Sequence, residues 1–252
     1  MKLKVLMFLL IWLLSGSTSF AVTIAKNHVE EAYKRAVQDA SVVEQDEISY
    51  DLIAIHPDNK SLIWNADKTK ILVVSWKSNS SYEDFLKPKT DTATDETHVV
   101  WVTAVPQIQR FCQRYIRANP DATAKDINLR LKQYLGLHPD WHYDVFVEMW
   151  VSPEDLFRPC VDPEIDDSHC NLRFGNTEPV VKGIRNYPVF YKNLYYSDFR
   201  TPPGIPWTGL GYTFDWENPS AECGASEFIL VPGAAYEIKG VFPTVDYCNR
   251  HY

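Results

Sequence analysis

His98-Val-Val-Trp-Val-Thr-Ala-Val105 runs straight into Pro106-Gln-Ile-Gln-Arg-Phe-Cys-Gln-Arg-Tyr-Ile-Arg-Ala118. The first eight residues are largely apolar on both faces and rich in β-branched side chains, the texture of a strand covered on both sides. Pro106 is a favoured first helical residue. From it, Ile108, Phe111, Cys112, Tyr115 and Ile116 recur at helical spacing, which predicts an amphipathic helix over 106–118 with Cys112 in its buried stripe. A second helix opens at Thr123 with Asp126 three residues on, buries Ile127, Leu131, Tyr134 and Leu135, and stops at Gly136. The chain then returns as a strand over 143–151. Strand, two helices and strand make a crossover unit that packs helices against a sheet.

Upstream, Asn27 and Glu30 read as a capping box for a helix whose apolar face is Val29, Ala32, Tyr33, Ala36 and Val37. Two β-like runs follow at 48–55 and 70–76, then a polar connection over 77–97. Beyond Ser152 the texture changes to Pro, Gly and aromatics, with short β-like pieces at 180–184, 211–216, 227–231 and 235–241. Ten of the thirty residues from Tyr187 to Trp216 are aromatic, against 13% for the chain. Such a concentration reads first as a core built from rings. The expected fold is therefore α+β: a mixed or antiparallel sheet with helices packed on it, then a loop- and strand-rich, aromatic, disulfide-braced half. The corresponding division is 1–21 signal peptide, 22–152 helix-bearing region and 153–252 β- and loop-rich region, the last two able to form one continuous domain.

The signal peptide is read from Lys2 and Lys4 before the apolar run of residues 5–14, with Ser19 and Ala21 as the small residues of a cleavage site. Its removal takes two of the 25 basic residues and none of the 33 acidic ones, moving the formal charge from −8 to −10. Such a surface argues against nucleic acid as a partner. No later segment is apolar enough to span a bilayer, so membrane insertion is not expected. A secreted or periplasmic destination follows, and no cofactor motif is present.

Export makes disulfides the default state of the five cysteines, although pairing is not fixed by spacing. The reading preferred is Cys160 with Cys170, closing a short acidic loop, and Cys223 with Cys248, tying back the C-terminus, with Cys112 left as an inert thiol. The rival pairs Cys112 with Cys160.

Candidate chemistry is sparse. His138, Asp140 and His142 crowd the turn between helix and strand and are candidate metal ligands, though their spacing matches no helical zinc motif. Gly224-Ala-Ser226-Glu-Phe228 lacks the final small residue of a nucleophile elbow and reads better as the start of a strand. Asp215, Glu217 and Glu148 are candidate catalytic carboxylates, and Trp207, Tyr212 and Trp216 candidate ligand-binding rings, because sugar clefts combine stacking surfaces with paired acids.

The segments Val100-Trp-Val-Thr-Ala-Val-Pro106, Asp155-Leu-Phe-Arg-Pro-Cys160, Pro206-Trp-Thr-Gly-Leu-Gly-Tyr-Thr-Phe-Asp-Trp216 and Gly224-Ala-Ser-Glu-Phe228 resemble those of a poorly characterised family of exported bacterial proteins. The resemblance runs from about Val100 to Ile238. It implies export, by type II secretion for some members, and a shared fold, but transfers no activity. The sequence thus favours a non-catalytic exported binding or interaction protein with a protein or carbohydrate ligand. The alternative is an extracellular hydrolase acting on glycans, which needs two carboxyl groups about 5 to 10 Å apart in a cleft lined by Trp207 or Trp216.

Overall fold

Near-continuous apolar runs place β1 (Ile71–Lys77), β2 (Val100–Ala104) and β3 (Val145–Val151) at the centre of a sheet, because each has two faces to bury. The computed structural model describes residues 26–218 and 220–251, so the signal peptide lies outside the described residues. Five further strands complete or extend the set: β4 (Leu156–Phe157), β7 (Phe228–Leu230) and β8 (Tyr236–Pro243) join the main sheet, and β5 (Tyr212–Phe214) pairs with β6 (Cys223–Ser226) in a second. The six-stranded order is β4-β7-β2-β1-β3-β8, antiparallel throughout. Both β2 and β3 run antiparallel to β1, so they are parallel to each other across it, and the two helices between them form the crossover. Three of the six strands precede Ser152 and three follow it.

Helices α2 (Gln107–Ala118) and α3 (Ala124–Tyr134) cover one face. There Ile108, Phe111, Ile127 and Leu131 pack on Leu72, Val74 and Trp76. The α3 start is fixed as its sequence requires, since Thr123 and Asp126 bond each other's backbone in a capping box. The aromatic segment continues over this face beside the helices, Phe199 against Trp101 and Tyr187 and Phe190 against Phe157, while Ile71, Val73, Val147 and Met149 of the opposite face belong to the larger core. Helix α1, covering 26–39, turns Tyr33 and Ala36 toward Phe214 and Trp216 of the second half.

Several local expectations change. The 48–55 run is extended but forms no ladder. Its backbone is held by other groups: Leu52 N and Ile55 N donate to Ser168 O and Ile165 O, Ile53 N donates to Ser226 Oγ, and Arg158 Nη2 donates to Ile53 O. Residues 180–184 form a turn closed by Ile184 N to Val181 O. Besides a single helical turn at Asn79–Ser81 in the polar connection, two helices arise where none is expected, α4 (Tyr187–Asn193) and α5 (Thr244–Cys248). Of these two, α4 does carry a signal, an Asn186 cap on Val189 N and a proline in its first turn.

The disulfides are Cys160–Cys170 and Cys112–Cys248. The expected Cys223–Cys248 bridge is thus corrected, as is the rival through Cys112 and Cys160. Cys112 is on the buried stripe of α2, and α5 docks against that stripe, bringing the two Cα atoms to 5.1 Å. Cys223 begins β6 in the smaller sheet and keeps its thiol.

Candidate functional site

Strand register sets the floor of a site that gathers aromatic and buried polar side chains. Val74 pairs with Thr103 and Trp76 with Phe146, and paired residues share a face. Trp101, two residues from Thr103, shares it too and pairs with Ile229. Glu227 precedes Phe228, whose partner is Val102, and so falls beside Thr103 on the same face. Past Val74 the β1–β2 pairing ends, and Ser75 Oγ bridges to Trp101 O at 2.8 Å. Over this floor lies a cavity of about 270 Å³.

Its roof is Leu135, Gly136, Leu137 and Trp141, and its side is Phe199, Ile205, Pro206 and Trp207. Local bonds fix both segments. Gly136 ends α3 at φ +67°, a left-handed conformation that glycine tolerates. Trp216 Nε1 donates to Leu137 O at 3.2 Å, and Lys132 Nζ to Pro139 O at 2.8 Å. The Arg200 guanidinium donates to Ile205 O, Trp207 O and Ala40 O. Trp101 meets Phe199 and Trp207 edge-on, so the wall is a corner of rings. Trp141 is exposed, and Lys77 and Tyr143 beside it are half-buried, so this side of the cavity faces solvent.

Of the polar side chains in this apolar setting, Ser75 and Thr213 are tied to the carbonyls of Trp101 and Tyr134, and Glu227 and Thr103 remain. Glu227 is 5% exposed, and its Oε1 accepts a hydrogen bond from Trp207 Nε1 at 2.7 Å. Burial pushes its carboxyl up to about 8, against the lowering effect of the Trp207 donor, so it is mostly neutral at pH 7. Thr103 is 8% exposed, and its Oγ1 has no hydrogen-bond partner among the described residues. At the border, burial lowers the Lys77 ammonium and raises the Tyr143 phenol to about 12.

Of the residues singled out from sequence, only Trp207 lines this cavity. Trp216 is buried edge-to-face against Tyr33, and Tyr212 is buried with its hydroxyl on Glu47 O. Neither ring offers a stacking surface. Asp215 is buried in a two-pronged ion pair with Arg130 at 2.6 and 2.9 Å. Glu217 is exposed and accepts from Gln133 Nε2, whereas Glu148 is buried on β3 against Gln109 and Lys239. Asp215 and Glu217 lie together against α3, with Glu217 N donating to Asp215 Oδ1, Glu148 makes its contacts on β3, and none of the three borders the aromatic cavity.

His138, Asp140 and His142 do not converge as metal ligands. His138 Nδ1 accepts from Asp140 N, while the His142 ring turns to Asp144 at 2.8 Å. Among the described residues, the trio of metal-type donors within reach of one another is Cys160, Asp162 and Cys170, and its two sulfurs are joined to each other. Ser226 is 2% exposed on β6, with its Oγ occupied by Ile53 N.

Sequence reading passed over Glu227 because one acid in an apolar run looks like a solvated strand residue. Its signal was contextual: Ser226-Glu-Phe-Ile-Leu-Val231 places a charge inside a run otherwise suited to a central strand. Comparison with protein-family models, curated proteins and solved structures finds no match to this chain.

Proposed function

We propose that this is an exported, non-catalytic binding protein whose site is the aromatic cavity over β1 and β2, and that its ligand is small and mainly apolar. The observation that carries this reading is a cavity of about 270 Å³ walled by four tryptophans, Trp76, Trp101, Trp141 and Trp207, with one neutral carboxyl inside. Ligand sites are concave, mostly apolar and marked by a few placed polar groups. Two disulfides support an oxidising destination. No helix among the described residues is long and apolar enough to cross a membrane. A hydrolase acting through Asp215, Glu217 and Glu148 gains no support from carboxyls that lie outside the tryptophan-lined cavity, Asp215 tied to Arg130 and Glu217 to Gln133.

Titration of the oxidised protein with small aromatic compounds tests the proposal, read by tryptophan fluorescence and thermal unfolding. One-to-one binding that changes the fluorescence is expected, with stability rising by about 2.7 kcal/mol at a hundredfold excess over Kd. Absence of any shift across a panel of one- and two-ring compounds would remove the cavity as a binding site.

A further inference from the structure

Two polar groups of the cavity, Glu227 and Thr103, have hydrogen-bonding capacity that the fold leaves unused. Glu227 Oε1 is occupied as an acceptor by Trp207 Nε1. In the neutral carboxyl the proton then sits on Oε2, the oxygen that Trp207 leaves open. Next to it, the Thr103 hydroxyl is enclosed and unpartnered, whereas buried hydroxyls are normally satisfied. Both groups border the same cavity. An apolar cavity of roughly 150 Å³ takes benzene. The present one therefore has room for a ring and a short substituent, not for an oligosaccharide.

We propose that the cavity receives a neutral, ring-sized molecule carrying one oxygen acceptor, a ketone, lactone or phenol, which Glu227 and Thr103 hydrogen-bond together. This rests on the binding reading above and adds the ligand class. The tryptophan faces would also attract an organic cation. Such a ligand would require Glu227 as the carboxylate, and the pH response separates the two cases. A neutral acceptor needs the protonated acid, so its affinity falls as Glu227 ionises; a cation needs the ionised acid, so its affinity rises. The other titratable or charged groups near Glu227 are Lys77 and Tyr143 at the cavity border, Tyr191 and Tyr195 against Trp207, and Arg200 on the Trp207 carbonyl.

The probes are acetophenone, its oxygen-free analogue ethylbenzene, and phenyltrimethylammonium. Each is titrated into wild type, Thr103→Val and Glu227→Gln at about pH 6 and about pH 9.5, a span that covers ionisation of the acid. Wild type is expected to prefer acetophenone over ethylbenzene by roughly tenfold or more, the scale of one or two hydrogen bonds. Thr103→Val should lose much of that preference without weakening ethylbenzene. Glu227→Gln keeps an oxygen for Trp207 and an N–H for the ligand, so it should retain acetophenone binding while losing the wild-type fall at high pH. A fall that persists in Glu227→Gln would assign the pH response to another group and overturn the role of Glu227. Equal affinity for acetophenone and ethylbenzene would overturn the ligand class yet leave the binding reading standing. Tighter binding of phenyltrimethylammonium, rising with pH, would overturn it in favour of a cation. If none of the three binds, the underlying reading fails as well.

Discussion

Glu227 couples folding to pH in a direction opposite to that of a salt-bridged acid. Its carboxyl is raised to about 8 by burial, so between its ordinary value and about 8 the folded chain holds a proton that the unfolded chain has released. The contribution is complete below about pH 4.5 and is lost progressively as pH rises to about 8, on the order of 5 kcal/mol at the limit. Glu227→Gln should flatten this part of the profile and leave the variant more stable than wild type at alkaline pH. Urea melts of both proteins from about pH 5 to about pH 9 check this, and parallel curves would show that Glu227 does not titrate in that window. Asp215 is bound in place by the Arg130 fork. Nothing in the Phe214-Asp-Trp216 tripeptide distinguishes an acid waiting for substrate from one tied to a helix 85 residues away.

At the level of elements, the cavity depends on where α3 stops. Gly136 turns the chain at φ +67°, and a Cβ there would lie 3.3 Å from Phe214 N and Pro206 O. Gly136→Ala should cost about 1–2 kcal/mol from the left-handed conformation and the crowded contact together. It should also weaken ligand binding, because the same turn carries the roof from Leu135 to Trp141. Denaturation and ligand titration of the variant read the two effects, and an unchanged affinity would detach the roof from the site. This stop was legible, since glycine after an apolar helical stripe is a strong local signal. So were both crossover helices and the central strands, whose periodicity reflects burial along their own length. The 48–55 run was not legible as a loop: its β-like side chains say nothing about partners, and here Arg158, Ser226 and the 165–168 loop take the hydrogen bonds a neighbouring strand would supply.

For the molecule as a whole, two cross-links differ sharply in reach. Cys112–Cys248 closes a loop of 136 residues and Cys160–Cys170 one of 10. Loss of the first, by Cys112→Ser with Cys248→Ser, should cost about 4–5 kcal/mol, and loss of the second about 2–3, on the loop-entropy model. Thiol titration of the unfolded, unreduced protein should find a single thiol, which peptide mapping assigns to Cys223; label at Cys112 or Cys248 would contradict this pairing. By itself, the sequence determined the α+β class, the crossover with its capped second helix, and an aromatic core in the second half. Each is written in local periodicity, because a helix or strand buries one face of its own residues. Tertiary structure alone decided which cysteines meet, that Asp215 and Glu148 are tied to structural partners, and that Glu227 and Thr103 share a cavity with Trp207. Those outcomes depend on the register between strands 124 residues apart in the chain, from Thr103 to Glu227, and pairing across such a distance leaves no mark in any window of sequence.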